Sequence, residues 1–265
     1  MHDVFNAFLV SLAFDVGRYA LIATPVFFLL WRWQGERLRA RWLRPAPPDA
    51  VSMRREIVAS LRTATIFAGM GALVYAGARA GVLHVYRDVA RYGLAYALLT
   101  PVMLIVLQDT YFYFTHRLMH HRLLFRAVHL EHHLSRHTSP FTAYAFSPLE
   151  ALVHAAFVPL VTLVLPAHEI SVFAFLIFML VRNVLGHAGV ELYPAGFVTS
   201  FLGAPHTTAT HHALHHQRPT TNFGLYFTFW DRVLATTDAT YEARFAQVTR
   251  APHTAMEVPP HMGVR

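Results

Sequence analysis

Histidine is the residue whose spacing could do chemistry in this chain. Between His116 and His137 seven of twenty-two residues are histidine, and between His206 and His216 five of eleven are. The two stretches hold twelve of the nineteen histidines in 265 residues. On a helix, residues at i, i+3 and i+4 share a face. His116 and His120 therefore stack one turn apart, His129, His132 and His133 form one cluster, and His212, His215 and His216 form another. Neutral imidazole binds divalent transition metals well near pH 7. These three clusters offer eight nitrogen ligands, more than one ion can use, so the arithmetic points to two ions sharing a cage. A lone His-x-x-x-His pair would mean little, because solvated surface histidines produce most such pairs. A pH sensor and a basic lipid-contacting face are the other readings of so dense a cluster.

The elements that hold these histidines are read from composition. Apolar residues make up 55% of the chain and charged residues 14%, which argues for a membrane protein. Cysteine is absent, which excludes thiolate zinc sites, iron–sulfur clusters, cysteine-ligated haem and disulfides. The net charge is +7, and every cationic side chain other than histidine is arginine. In so apolar a chain this excess reads as lipid-headgroup contact and topology signal, with no nucleic acid as partner. The N-terminus reads as lacking a secretory signal.

Residues 4 to 31 are expected to form one long membrane helix ending near Trp31 and Trp33, with Asp15 and Arg18 paired on one face. The loop 32 to 56 is rich in arginine and proline, and the positive-inside rule places it in the cytoplasm, with the N-terminus opposite. Residues 61 to 83 and 92 to 115 read as further spans, and the second delivers Asp109 and His116 to the arginine-rich side. Residues 146 to 165 and 170 to 187 read as a fourth and a fifth crossing, or as a hairpin dipping in from one side. Both alternatives return His187 to the face that carries the clusters. The fold class is thus all-α: a polytopic membrane protein with about four to five membrane helices and a cytosolic histidine-rich cap. It forms one membrane-embedded domain over 1–265, with N-terminal membrane helices in 1–89 and a polar tail over 241–265.

The sequence here resembles the fatty acid hydroxylase / sterol desaturase superfamily of membrane di-iron oxygenases. The resemblance rests on three boxes: His116-Arg-Leu-Met-His120, His129-Leu-Glu-His132-His133 and His212-Ala-Leu-His215-His216. Flanking text agrees, namely Asp109-Thr-Tyr-Phe-Tyr-Phe-Thr before the first box, and Asn222-Phe-Gly and Trp230-Asp231-Arg232 after the third. Gly186-His187-Ala-Gly-Val-Glu191 looks like the place of a further family histidine. The likeness covers roughly residues 90 to 240. It implies a cytosolic centre of two iron ions and O2 as co-substrate; the imidazoles themselves would also accept zinc. The implied reaction is hydroxylation or desaturation of a lipid C–H bond, on a fatty acyl, sterol or related apolar substrate. With no dinucleotide fingerprint and no cysteine cluster, electrons must come from a separate reductase or ferredoxin-type donor.

On this reading the metal ligands are His116, His120, His129, His132, His133, His187, His212, His215 and His216. His121, His137, His206 and His211 are candidate ligands, gates or supports. Asp109, Glu131, Glu150, Glu191 and Asp231 could orient metal-bound imidazoles from outside, or could make helix-end ion pairs; for Asp231 the expected partner is Arg232. Phe112, Tyr113 and Phe114 are expected to keep water from the centre. His84, His154 and His168 read as structural, and His2, His253 and His261 as solvated. Two other function classes compete. One is a membrane zinc hydrolase, which the scarcity of cage carboxylates disfavours. The other is a non-enzymatic metal-handling or transport protein, which should carry its ligands at mid-membrane depth rather than at span ends.

Overall fold

The computed structural model describes residues 2–250, so His253 and His261 lie outside the described residues. Helix α1 runs from His2 to Phe27 and continues through a π-helical turn, Phe28–Trp33. After the arginine-rich loop, α2 spans Ala50–Arg79, started by Asp49, whose side chain accepts a hydrogen bond from Ser52 N at 2.9 Å. Strand β1 (Val85–Tyr86) leads into α3 (Leu94–Met119). Two single-turn helices follow, α4 (Phe125–Val128) and α5 (Leu130–His133). Then come α6 (Pro148–Ala155), α7 (Phe157–Thr162), strand β2 (Ala167–His168) and α8 (Glu169–Gly186). The remainder carries α9 (Ala209–Gln217), α10 (Phe229–Val233) and α11 (Tyr241–Thr249).

Among the described residues four helices, His2–Trp33, Ala50–Arg79, Leu94–Met119 and Glu169–Gly186, are long and apolar enough to cross a membrane. In lipid the backbone must satisfy its own polar groups, and uninterrupted apolar sequence does so as helix. The outward faces carry exposed apolar side chains such as Leu21, Leu98 and Ile170, the surface an integral membrane protein turns to acyl chains. Asp15 and Arg18 do pair inside α1, Arg18 Nε donating to Asp15 Oδ1 at 2.9 Å, and Arg18 also donates to Leu176 O at 2.6 Å.

The segment expected as a crossing over 146 to 165 differs. It is broken at Ala156 into α6 and α7, and the run Pro148–Thr162 covers only about 22 Å at 1.5 Å per residue, short of the ~30 Å hydrocarbon core. It nevertheless travels the length of the bundle. Ser147, which caps α6, donates to Val128 O beside the histidine clusters, whereas Thr162 O accepts from His84 N in the loop after α2. Parallel pairing of β1 with β2 fixes that far end. The run therefore leaves the histidine end as two short helices, and α8 returns to it. His168 caps α8, its Nδ1 accepting from Ile170 N at 3.2 Å, which is the structural role expected of it.

The consequence is that α1, α3 and α8 end at the same end of the bundle, where α2 and α6 begin. A core of Tyr19, Phe141, Tyr144, Leu180 and Val184 packs just beneath that end. Tyr19 Oη and Ser60 Oγ both donate to Phe141 O, at 2.9 and 3.1 Å, tying α1 and α2 to the 3-10 turn Pro140–Tyr144. Buried Glu56 of α2 accepts from Ser135 Oγ at 2.7 Å and Ser139 Oγ at 2.6 Å, which pins the segment that follows α5.

Candidate metal centre

The nine imidazoles expected to act together are brought together, in two adjoining groups. His116, His120, His129, His133 and His215 form one; His132, His187, His212 and His216 form the other. Within each, the ligand nitrogens lie within 4.8 Å of one another. Each His-x-x-His-His box is divided between the groups. His129 and His133 join the first group and His132 the second; His212 and His216 join the second and His215 the first.

The inward atoms are Nε2. His116 and His129 approach at 3.0 Å, His120 and His215 at 3.1 Å, and His133 and His215 at 3.1 Å. In the second group His212 lies 2.8 Å from His187 and 3.0 Å from His216, and His187 lies 3.2 Å from His132. Some of the outward atoms are held by backbone. His116 Nδ1 donates to Phe223 O at 3.0 Å, His187 Nδ1 to Asn183 O at 2.8 Å, and His215 Nδ1 to Thr221 O at 2.7 Å. A proton fixed on Nδ1 leaves the Nε2 lone pair pointing inward. Lone pairs converging from several rings repel unless a cation stands among them. Spacings near 3 Å are those of neighbouring nitrogens about 2.1 Å from one ion. The residues present therefore fit two metal ions.

Electrostatics agree. Burial, reinforced by the neighbouring histidines, holds His129, His132, His212, His215 and His216 well below the ordinary imidazole value of 6.5. Burial lowers His133 and His187 to about 4. Neutral rings are the ligand form.

Glu150 stands behind this array. Its carboxylate is 1% exposed and lies 2.8 Å from His129 Nδ1, an ion-pair distance too oblique for a linear hydrogen bond. His154 Nε2 is 3.5 Å from the same oxygen, and its ring stacks on Phe112. A cation among the imidazoles would favour the ionised form of this buried carboxyl.

Residues 101–236, just over half of the chain, match the family model for fatty acid hydroxylase. The chain belongs to the fatty acid hydroxylase family. It is 35% identical over 135 residues to methylsterol monooxygenase 1 of Danio rerio, covering 49% of this chain and 44% of the relative. It is 27% identical over 142 residues to human lathosterol oxidase, covering 54% and 46%. A third relative is the very-long-chain aldehyde decarbonylase GL1-1 of Oryza sativa subsp. indica, 35% identical over 153 residues, covering 56% and 24%. The chain thus spans about half the length of the first two and a quarter of the third. No solved structure matches it significantly.

All nine clustered histidines fall inside the family-matched region, whereas α1 and α2 lie outside it. The other candidates from sequence separate from the metal groups. His121 and His137 are exposed, and His206 is half-buried with its ring against Phe227. His211 is fully buried but faces Asp231, Nε2 to Oδ2 at 3.2 Å. Asp231 does not pair with Arg232, which donates to Ala204 O instead. It accepts from Phe223 N and Gly224 N, both at 2.8 Å, and from Thr236 Oγ1 at 2.7 Å. That grip holds the turn whose Phe223 carbonyl receives His116.

Asp109 works on the same loop, accepting from Tyr226 N at 2.7 Å and Phe227 N at 3.1 Å. Glu191 accepts from Thr210 N at 2.9 Å and Tyr193 N at 3.1 Å, and so positions the start of α9. Glu131 pairs with Arg62 at 2.7 Å on the partly exposed side. These carboxylates position loops and helices. Among the described residues only Glu150 comes within ion-pair distance of one of the nine imidazoles. The expected apolar screen is partial: Tyr113 is buried and Phe112 packs on His116, but Phe114 is largely exposed. The backbone carbonyls of Phe223, Asn183 and Thr221 carried no sequence signal, since any residue type supplies a carbonyl.

Proposed function

We propose that this protein is a membrane-bound oxidoreductase that uses two iron ions and O2 to hydroxylate or desaturate a C–H bond of a lipid. The observation that carries this reading is the pair of adjoining groups, five and four neutral imidazoles, at one end of an apolar helical bundle. The first group's ion would be held by His116, His120, His129, His133 and His215, and the second by His132, His187, His212 and His216. When bound, the iron pair supplies activation of O2, a reaction beyond any side chain here. Zinc could occupy the same nitrogens and would not support it. The sterol oxidase and monooxygenase relatives favour oxidative chemistry on an apolar substrate.

The chain's own residues do the rest. Backbone carbonyls hold His116, His187 and His215 in one tautomer, which preorganises that part of the cage. Glu150 sets the orientation of His129 and compensates the cationic centre. Phe112, Phe146 and Tyr113 limit the entry of water. Each turnover consumes O2, two electrons and two protons; hydroxylation yields an alcohol and one water, desaturation an alkene and two. Both outcomes need an external electron donor, a reductase or ferredoxin-type protein reaching the cytoplasmic end.

The test is metal content and oxygen consumption in protein purified with iron supplied. Two metals per chain are expected, with O2 uptake that depends on reductant and membrane lipid and is lost on zinc substitution. One metal or fewer per chain, or no lipid product with iron and reductant present, overturns the proposal.

A further inference from the structure

The outer side of α3 is apolar over the depth of a bilayer. Leu94, Leu98, Val102, Val106 and Phe114 are exposed along it, and its one acid, Asp109, is buried. Leu94 to Phe114 is about 30 Å of helix, the thickness of the hydrocarbon core. Arg117 is the first exposed charge beyond that stretch. α10 packs on its last turns. Trp230 Nε1 donates to Thr110 Oγ1 at 3.1 Å, and the Trp230 ring lies 5.0 Å from that of Phe114. A cap helix therefore rests on a spanning helix at the depth of the bilayer surface, not above it.

Asp231, on the inner side of α10, holds the 223–224 turn. Phe229 and Val233, four residues apart and so on one side, are exposed. The turn Ser200–Ala204 lies alongside. Ala204 N donates to Ser200 O at 2.9 Å and closes the turn, and Ala204 O accepts from Thr228 Oγ1 at 2.9 Å and from Arg232 at 2.8 Å. The tip of the turn carries Phe201 and Leu202, 93% and 76% exposed. On α3, Phe114 and Leu118 are exposed as well. These six side chains prolong the apolar side of α3 onto the cap. Apolar patches of this kind, rimmed by polar residues, mark contact surfaces. The rim here is cationic. Arg117 and Arg232 are exposed, no acid occurs from 110 to 130, and from 200 to 235 Asp231 is the only one.

We propose that α10 and the turn Ser200–Ala204 dock into the phospholipid leaflet at the histidine end. Phe201, Leu202, Phe229 and Val233 enter the outer part of the acyl layer, and Arg117 and Arg232 meet the lipid phosphates. The contact is continuous with the apolar side of α3, which already faces lipid. A second copy of this chain fits the patch less well. Two-fold pairing sets a patch against itself, so arginines would oppose arginines with no exposed acid of the patch between them. Docking also gives α10 a support on its outer side while Asp231 grips the 223–224 turn on the inner one. The contact needs no metal and no turnover, so it stands apart from the proposed oxidase.

The test uses the full chain, which has no cysteine of its own. Phe201→Cys and Val233→Cys are each labelled with the environment-sensitive dye NBD. Each is placed in nanodiscs of phosphatidylcholine and phosphatidylglycerol that hold one chain per disc. Thr220→Cys, exposed on the turn after α9, is the control. At 201 and 233 the dye emission should shift to the blue. It should be quenched by a phospholipid with a nitroxide on its acyl chain and be protected from aqueous iodide. At 220 iodide should quench and the nitroxide lipid should not. Leu202→Cys replaces Phe201→Cys should that variant not accumulate. Free quenching by iodide at 201 and 233 overturns the proposal. Protection from iodide without quenching by the nitroxide lipid means cover by protein, and overturns it too. So does protection that is present in vesicles crowded with the chain but lost in single-chain discs, since a second copy would then be the occupant.

Discussion

His129 Nδ1 lies 2.8 Å from a carboxylate oxygen of Glu150, while its Nε2 lies 3.0 Å from that of His116. One ring therefore joins a buried acid to the five-histidine group. Among the described residues the four-histidine group has no such contact; His187 leans on a backbone carbonyl. The two histidine groups are inequivalent: they differ in the number of imidazoles and in this contact with one side chain on α6.

Glu150→Gln keeps the shape and removes the charge. Loss of a carboxylate behind a metal-bound imidazole typically weakens binding about 10- to 100-fold. One of the two metals should titrate with weaker affinity by that order, the other remaining as in the parent. Equilibrium metal titration checks this, and two unchanged affinities would remove Glu150 from the account.

The division of each box between groups predicts that neighbouring histidines fail differently. His215→Ala vacates a position in the five-histidine group and His132→Ala one in the four-histidine group. Each should lose oxidation of lipid by at least about 100-fold while the protein still inserts in the membrane. His121→Ala, an exposed control, should stay within about 0.5 kcal/mol of the parent in stability and keep full turnover. Product formation in membranes supplied with a reductase is the measurement. Parent-like turnover in either cage variant would contradict the di-iron reading.

Metal-free protein should lose stability on mild acidification. Burial holds His133 and His187 at about 4 in the folded chain, against 6.5 in an exposed imidazole. As pH falls from 6.5 towards 4, the unfolded chain takes up protons that the folded chain refuses. Stability is therefore greatest above 6.5 and declines through that window, by up to about 1.4 kcal/mol per pH unit for each such ring. Thermal unfolding of chelator-treated protein at several pH values tests the sign; a midpoint that rises on acidification would refute it.

The arginine bias sets an absolute orientation to be tested. Cysteines placed singly at Ser52 and Thr220 in this cysteine-free chain should react only with reagents delivered from the cytoplasmic side. Labelling of either from outside would invert the assignment. The bundle itself places residues 32 to 56 and both histidine stretches at a common end, so the two positions should share one side.

The sequence by itself determined which histidines gather. Helix-face spacing is a local property, readable from His116 to His216 without any partner. The long apolar helices were legible for the same reason, because lipid demands uninterrupted hydrophobic sequence. Only the tertiary structure decided which imidazole joins which group. Adjacent residues on a helix point about 100° apart, so His132 and His133, like His215 and His216, are free to face two different centres. The choice depends on what stands opposite: His187 from the end of α8 in one direction, His116 and His120 from α3 in the other. The partner of Asp231 was likewise a tertiary matter. Arg232 is its neighbour in sequence, but the backbone turns Asp231 towards His211 and the 223–224 amides, which approach through folding of a loop. The break at Ala156 was hidden too, because α6 and α7 are apolar enough to read as a single span. Their course is fixed by contacts at both ends, Glu150 with His129 and Thr162 with His84, that no local pattern records.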